Sequence, residues 1–226
     1  MLVGICGQAG SGKSTVAQFL VKNYSFVELG LADPLKRFVQ DVFDMTDEQI
    51  WGPSENRNAP DPRYERTNGD LEIASDGRCL LTPRFALQTL GTEWGRNCYP
   101  QVWVDYAIRV HKKLQGGGYG YDQKRGLYTT SMLMGEMMYP KTNVVISDVR
   151  FLNEVIGIRN AGGQVWHISR PGADGKVGVR GHASEEEQKS IPHELFDAGI
   201  SNCSSIANLL EFVDNLMLLA VKAKEK

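Results

Sequence analysis

Residues 7–14 read Gly-Gln-Ala-Gly-Ser-Gly-Lys-Ser, and they lie between an apolar run at residues 2–6 and a helical pattern. A glycine-rich turn of this kind lets successive backbone N–H groups point at phosphate oxygens, and the positive end of the following helix adds to the attraction. Lys13 would reach the β- and γ-phosphates, and the Ser14 hydroxyl would be a ligand to Mg²⁺. The pattern predicts a loop that binds a nucleoside triphosphate through Gly10, Ser11, Gly12, Lys13, Ser14 and Thr15.

Two acidic residues follow predicted strands and are candidates for chemistry. Asp148 ends the apolar run at 143–147, where proteins with such a loop place an acid that holds Mg²⁺ directly or through water. Asp33 follows a short strand at 26–29 and precedes a proline. A structural interpretation stays open for each, since Asp148 could cap the next helix and pair with Arg150, and Asp33 could be an N-cap.

Cationic residues also follow these strands. Lys36 lies one turn after Asp33, where it is either a contact to a substrate phosphate or a solvated helix charge. Arg170 follows a strand at 165–169 and begins a stretch rich in glycine and charge that extends to about Glu194. This stretch, about 170–194, predicts a lid that supplies cations and excludes water, with a plain surface loop as the alternative.

The elements that must position these residues alternate between strands and helices. Strands are predicted at 2–6, 26–29, 143–147 and 164–169. One helix is predicted directly after the phosphate loop, and others at 33–43, from Thr82, at 103–114, at 152–160 and from about Ser204. Residues 52–80 are polar and rich in turn formers, which predicts an insertion, and 116–121 predict a flexible connection. In the helix from Thr82, the spacing of Leu87, Leu90 and Trp94 predicts an apolar stripe that faces the core.

Strands that alternate with helices imply an α/β fold in which a parallel sheet is flanked by helices and the ligand site lies at the carboxyl ends of the strands. Three motifs follow strands, as in a three-layer P-loop kinase fold. We therefore expect residues 1–226 to form a single domain of this kind, with a substrate-binding insertion at about 44–142 and the lid.

Composition limits the classes of partner. The net charge is -2 and 23% of the residues are charged, so no bulk charge favours nucleic acid or a membrane surface. The four cysteines are widely spaced, which indicates reduced thiols rather than a disulfide framework or a zinc site. With no signal-peptide pattern and no apolar window of eighteen residues, we expect a soluble, cytoplasmic protein.

The chain resembles the phage-type deoxynucleoside monophosphate kinases of the P-loop nucleoside monophosphate kinase group. The resemblance covers nearly the whole chain, and its most specific segment is Gln-Thr-Leu-Gly-Thr-Glu-Trp-Gly-Arg at 88–96. The other matching segments are residues 7–15, 32–36, 145–150 and 200–202. The resemblance implies in-line transfer of the γ-phosphoryl group of ATP, with Mg²⁺, to the 5′-phosphate of a deoxynucleoside monophosphate.

The resemblance also assigns roles to residues. Gln88, Glu93, Trp94 and Arg96 would lie by the monophosphate, and Asn202 would lie near the ATP base. Lys36 joins the predicted monophosphate site because of its position after the second strand. The catalytic set would be Lys13, Asp33, Arg150 and Arg170, with Ser14 and Asp148 holding the metal. The stripe offers the core as an alternative place for Trp94, which is therefore left out of the predicted site. A homodimer is compatible with the family, and a viral member would act in the cytoplasm of the host cell.

Two other functions remain open at this stage. Another small-molecule P-loop kinase, acting on dephospho-coenzyme A or phosphomevalonate, would share the phosphate loop, the acid after the second strand and the lid. A nucleotide-switched binding module is the second alternative, although the chain lacks the N/T-K-x-D motif that reads guanine. Contacts between substrate and Arg57, Arg63 or Arg66 are not assigned.

Overall fold

Five apolar runs form one parallel sheet in the computed structural model. The strands are β1 (Leu2–Cys6), β2 (Phe26–Leu29), β7 (Asn143–Val149), β8 (Gln164–Ser169) and β9 (Ala198–Ser201). Their order across the sheet is β2-β7-β1-β8-β9, and every neighbouring pair is parallel. All five carboxyl ends therefore lie at one edge of the sheet, which is where a ligand site is expected in this class of fold. The structure describes residues 1–66, 77–130, 142–171, 188 and 190–224.

Helices cover both faces of the sheet, and this confirms the predicted three-layer α/β fold. The helices are α1 (Lys13–Tyr24), α5 (Val102–Gly116), α6 (Leu152–Asn160) and α7 (Ile206–Lys224). Side chains of α1 and α7, such as Leu20 and Val213, pack with Trp166 in one apolar cluster. Side chains of α5 and α6, such as Leu114 and Ile158, pack in a second cluster with the alternate residues of the strands. Burial of these two clusters holds the strand ends in a fixed arrangement.

Contacts divide the chain into two compact units. The first unit comprises 1–31, 103–123 and 127–226, and the second comprises 32–102 with 124–126. The second unit contains α2 (Asp33–Val42), α3 (Asp47–Trp51), β3 (Asp61–Glu65), β4 (Leu80–Leu81), α4 (Pro83–Gln88), a 3₁₀ turn (Ser54–Asn58) and a π-helix (Thr89–Arg96). Its core is a separate cluster formed by Val39, Met45, Ile50, Leu81 and Ala86.

Two segments predicted as irregular contain regular structure. Within 52–80, strands β3 and β4 pair antiparallel and form a small sheet, which the polar composition did not predict. Residues 116–121, predicted as a flexible connection, lead into β5 (Tyr119–Asp122), which pairs with β6 (Gly126–Thr129). The glycines at 117 and 118 have positive φ values of 78° and 76°, so they turn the chain into the hairpin. The ring of Tyr121 is then buried.

Two local predictions about helices are wrong. Helix α2 begins at Asp33, with Ala32 at the N-cap, so Asp33 is the first helical residue and not the cap. Trp94 is 59% exposed and does not belong to the core, because residues 89–96 form a π-helix to which a 3.6-residue period does not apply. In α7, Leu209, Val213 and Met217 are buried at helical spacing, whereas Ile206 at the start of the helix is exposed.

The edge strand β9 was not predicted from the sequence. The predicted strand at 164–169 and helix at 152–160 match β8 and α6 residue for residue. In the parts of the chain that the structure describes, no helix is both long and apolar enough to cross a lipid bilayer. Most of the predicted lid, with Lys176, Arg180 and His182, lies outside the described residues.

Candidate active site

The phosphate loop connects β1 to α1 and depends on glycine at three positions. Gly7, Gly10 and Gly12 have φ values of 152°, 76° and 109°, which side-chain-bearing residues rarely adopt. Space is also limited, since a Cβ atom on Gly7 would lie 2.3 Å from the carbonyl oxygen of Ile168. A Cβ atom on Gly12 would lie 2.8 Å from Nδ2 of Asn202. The spacing of glycines in the motif is therefore a requirement of this loop's backbone and packing.

Lys13 is held against the loop at the start of α1. Its Nζ donates hydrogen bonds to the carbonyl oxygens of Gly7, at 2.6 Å, and Gln8, at 2.7 Å. Burial, together with repulsion by the Arg150 charge, lowers the pKa of Lys13 to about 8, while Cys6 and Asp148 oppose the change. The charges of Lys13, Arg150 and Asp148 are thus close enough to interact, and Lys13 is still cationic at neutral pH.

Asp148 lies beside an irregularity in the central strand. Gly4 pairs with Ile146 and Cys6 pairs with Val149, so β7 contains one residue more than β1 over this stretch. Such a bulge redirects side chains and is frequent next to active sites. Oδ1 of Asp148 accepts a hydrogen bond from the backbone N–H of Leu31 at 2.8 Å.

The alternative in which Asp148 caps the next helix is wrong. Helix α6 has Phe151 at its N-cap, and the carboxylate of Glu154 accepts hydrogen bonds from the backbone N–H groups of Arg150, at 2.7 Å, and Phe151, at 3.0 Å. Glu154 is buried and fixes the backbone at Arg150, whose side chain is exposed. Sequence reasoning missed Glu154, although a glutamate three residues after an N-cap is the signal of a capping box.

Arg170 and Asn202 both contact the phosphate loop. The Asn202 side chain donates a hydrogen bond from Nδ2 to the carbonyl oxygen of Ser11 at 2.9 Å. The backbone N–H of Asn202 donates to the carbonyl oxygen of Ser169 at 2.7 Å. Arg170 is exposed and donates from Nη1 to the carbonyl oxygen of Gly10 at 3.4 Å. Both residues follow strands of the sheet, so its edge brings distant parts of the sequence to one loop.

Gln188 is a further contact that sequence reasoning missed. Its buried side-chain amide lies 3.2 Å from the carbonyl oxygen of Gly7, 3.2 Å from the sulfur of Cys6 and 3.4 Å from the carbonyl oxygen of Val149. The amide therefore links the start of the phosphate loop to the end of β7. No local pattern identifies it, because it is a single glutamine in a charged stretch.

In the second unit, Asp33 and Lys36 form an ion pair on α2. The Asp33 carboxylate is completely buried, and Nζ of Lys36 lies 3.6 Å from it. The same ammonium lies 4.7 Å from the ring centroid of Trp51, a favourable cation–π contact. Nε1 of Trp51 donates to the side-chain oxygen of Gln40 at 2.7 Å, which fixes the ring. Lys36 is thus a positioned cation and not merely a solvated helix charge.

The three other predicted substrate-binding residues lie on α4 and the π-helix of this unit. Gln88 is the last residue of α4 and is half-buried, Glu93 is exposed and Arg96 is half-buried. Pro83, Ala86, Gly91 and Gly95 are the buried positions of the same segment. A π-helical turn within an α-helix is frequent at functional sites.

Two arginines of the second unit are engaged in its own structure. Arg57 donates to the carbonyl oxygens of Ile50 and Gly52, at 2.9 and 3.2 Å. Arg63 pairs with the buried Asp61 at 2.8 Å and with Asp44 at 3.4 Å. The hydrogen bond from Arg63 is the main reason that the pKa of Asp61 falls to about 2.

Each unit therefore groups part of the predicted site. In the first unit, hydrogen bonds join Arg170 and Asn202 to the phosphate loop, and the charges of Asp148 and Arg150 act on Lys13. Ser14 and Thr15 lie in the first turn of α1. In the second unit, Asp33 and Lys36 lie on α2, and Gln88, Glu93 and Arg96 follow one another along α4 and the π-helix. Backbone donors with several cations suit a polyphosphate.

Comparisons with known proteins place the chain in a family. No family model matches it. A protein of Acanthamoeba polyphaga mimivirus named "Putative deoxynucleotide monophosphate kinase" is 32% identical over 219 residues, which is 95% of this chain and 97% of that protein. Among solved structures, the dephospho-CoA kinase of Campylobacter jejuni is 14% identical, with a TM-score of 0.42 over 96% of this chain and 95% of that one. A Thermus thermophilus protein is also 14% identical, with a TM-score of 0.44 over 100% and 98% of the two chains. On the identity and coverage of the mimivirus relative, the chain belongs to the deoxynucleotide monophosphate kinase family.

Proposed function

We propose that this protein transfers the γ-phosphoryl group of ATP to the 5′-phosphate of a deoxynucleoside monophosphate, giving ADP and a deoxynucleoside diphosphate. The observation that carries the proposal is the placement of Lys13. Its ammonium is held by carbonyl oxygens of the phosphate loop, and the charges of Asp148 and Arg150 act on it. A cation held in this way is suited to the β- and γ-phosphates of a nucleotide. Membership of the family supports the choice of acceptor.

The first unit offers a fitting set of ligands for Mg²⁺. Ser14 supplies a hydroxyl oxygen and Asp148 a carboxylate oxygen, which are the hard ligands that this ion prefers. Ser14 follows Lys13 in the chain, and the Asp148 charge acts on Lys13, so both donors belong to one neighbourhood. When bound, Mg²⁺ would neutralise charge on the β- and γ-phosphate oxygens.

The residues of the chain would act mainly by binding and by neutralising charge. Lys13, Arg150 and Arg170 would hold the phosphoryl oxygens as negative charge shifts toward the leaving ADP. Asn202 would lie near the base of ATP while it supports the loop at Ser11. An oxygen of the acceptor phosphate forms a bond to the γ-phosphorus, and the bond to the β-γ bridging oxygen breaks, with its electron pair leaving on ADP.

The acceptor needs orientation rather than deprotonation. The second pKa of a phosphate monoester is about 6, so the attacking oxygen is already largely ionised at neutral pH. Asp33 would therefore orient the acceptor by holding Lys36, whose ammonium it contacts at 3.6 Å. Gln88, Glu93 and Arg96 would bind the remainder of the acceptor.

The test is an assay of ADP formation with ATP, Mg²⁺ and each of dAMP, dGMP, dCMP and dTMP. The matching ribonucleotides, dephospho-coenzyme A and phosphomevalonate are offered in parallel, and one reaction contains no acceptor. We expect turnover that depends on at least one deoxynucleoside monophosphate. Turnover with dephospho-coenzyme A or phosphomevalonate alone, or ATP binding without turnover on any acceptor, would contradict the proposal.

A further inference from the structure

The two central strands of the sheet stop pairing where the phosphate loop begins. The register between β1 and β7 runs as far as the pair Cys6 and Val149. Gly7, the first residue of the loop motif, and Arg150 each lie one residue beyond that pair. Other groups must therefore hold the two segments to each other at the point where both enter the candidate site.

The side-chain amide of Gln188 lies across this point. Gln188 is only 9% exposed. Its Nε2 is 3.2 Å from the carbonyl oxygen of Gly7 and 3.4 Å from that of Val149, and Sγ of Cys6 is also at 3.2 Å. An amide nitrogen carries two N–H groups, so one donor is available for each carbonyl oxygen.

The carbonyl oxygen of Gly7 has a second donor, which the proposed reaction needs elsewhere. Lys13 donates from Nζ to this oxygen at 2.6 Å and to that of Gln8 at 2.7 Å. To bind the phosphates of ATP, the ammonium must turn away from both oxygens. Gln8 is half-buried and Gly7 is buried, so water has less access to the Gly7 oxygen. A buried carbonyl without a donor is costly, and the Gln188 amide avoids that cost when Lys13 leaves.

The other carbonyl held by Gln188 lies between two predicted site residues. Val149 separates Asp148 from Arg150, and the charges of both neighbours act on Lys13. The carboxylate of the buried Glu154 accepts a hydrogen bond from the backbone N–H of Arg150 at 2.7 Å. Buried side chains therefore hold both the C=O and the N–H of the peptide that joins Val149 to Arg150.

We propose that Gln188 is a positioning residue for ATP. Its amide holds the Gly7 carbonyl while Lys13 moves to the phosphates, and it keeps the end of β7 in place against the phosphate loop. This inference rests on the proposed function and adds to it a residue that acts through Lys13 and the loop rather than by contact with ATP.

The experiment compares Gln188→Met with Gln115→Met, because methionine has a similar length to glutamine and no N–H donor. The Gln115 amide donates from Nε2 to the carbonyl oxygen of Thr142 at 2.6 Å, one residue before β7 begins. Its variant loses the same kind of bond at the opposite end of the strand. Calorimetry with ATP and Mg²⁺ measures affinity, and urea unfolding measures stability. We expect both variants to lose stability and only Gln188→Met to bind ATP about tenfold more weakly.

Steady-state assays separate positioning from general destabilisation. In Gln188→Met, KM for ATP should rise about tenfold and kcat should fall a few-fold, whereas KM for the deoxynucleoside monophosphate should not change. Gln188→Glu is the second variant, should Gln188→Met not fold. Glutamate keeps the shape, loses the donors and offers Lys13 a carboxylate, so we expect it to weaken ATP binding more than methionine does.

The outcomes separate this inference from the proposed function. Wild-type ATP affinity in folded Gln188→Met or Gln188→Glu protein would overturn the inference alone. Equal losses of ATP affinity in Gln188→Met and Gln115→Met would also overturn it, because they would show general destabilisation. ATP binding by the wild type without turnover on any acceptor would overturn the proposed function, and the ATP titrations would still decide the role of Gln188. A wild-type protein that does not bind ATP would overturn both.

Discussion

The two units fix their candidate residues by different means. In the first unit, the phosphate loop is held by its backbone, through glycines with positive φ and contacts to main-chain oxygens at Gly7, Gly10 and Ser11. In the second unit, the fixed elements are side chains, such as the Gln40 amide between Trp51 and Asp47. A site made by backbone shape depends on a few residue types at fixed spacing, whereas a side-chain network depends on partners that are distant in the sequence.

The largest effect that this comparison predicts is the loss of Lys13. Lys13→Ala removes the one loop cation that is held by two carbonyl oxygens, and we expect turnover to fall by about 10³-fold or more while the fold is retained. Steady-state assays and circular dichroism provide the measurement. Lys22→Ala, on the exposed end of the same helix, is the matched control and should be fully active. Near-normal turnover in folded Lys13→Ala protein would remove the phosphate loop from the mechanism.

The same contrast explains how much could be predicted from the sequence. The loop, β8 and α6 were predicted residue for residue, because glycine requirements and apolar periodicity are local properties. Trp94 was misassigned because its pattern was interpreted with an α-helical period inside a π-helix. Gln188 could not be predicted, since its role comes entirely from atoms that the fold brings to it. The backbone-determined part of the site was therefore far more predictable than the part determined by side chains.

A backbone-determined loop should be sensitive to a single added methyl group. Gly7→Ala would place Cβ 2.3 Å from a main-chain oxygen at a φ of 152°. We therefore expect the free energy of unfolding to fall by about 3 kcal/mol. ATP binding should be lost as well, because the loop would be distorted. Gly10→Ala is the control, because a Cβ there meets nothing within 4 Å and only the positive φ costs about 1–2 kcal/mol. Urea unfolding and ATP titration measure both effects. Equal losses in the two variants would show that the packing against Ile168 is unimportant.

The pH dependence tests the electrostatic part of the first unit. Because the pKa of Lys13 is lowered to about 8, kcat/KM for ATP should be constant from about pH 7, where the phosphates are ionised, to that pH and fall tenfold per pH unit above it. Arg150→Gln removes a neighbouring positive charge, so the pKa of Lys13 should rise and the fall should begin at higher pH. The pH profiles of the two proteins provide the measurement. An unchanged alkaline fall in Arg150→Gln would show that Arg150 does not act on Lys13.

The smallest effect concerns the side-chain network of the second unit. The Asp61 carboxylate is 2% exposed and accepts hydrogen bonds from Arg63 and from Gln49, at 2.8 and 3.0 Å. Asp61→Asn keeps the shape and removes the charge, so we expect a loss of about 1–3 kcal/mol in the free energy of unfolding at pH 7. Asp47→Asn, at an exposed ion pair with Lys124, should cost less.

The sign of the pH dependence identifies the cause of this loss. The pKa of Asp61 is about 2 in the folded protein and about 3.9 when unfolded, so its contribution is complete above about pH 4 and is lost as the pH falls toward 2. The wild type and Asp61→Asn should therefore converge in stability over that range of pH, as measured by urea unfolding. A difference that persists at pH 2 would mean that the lost hydrogen-bond acceptor, and not the lost charge, destabilises the variant. ATP binding should be unchanged, because Asp61 belongs to the unit that is proposed to bind the acceptor.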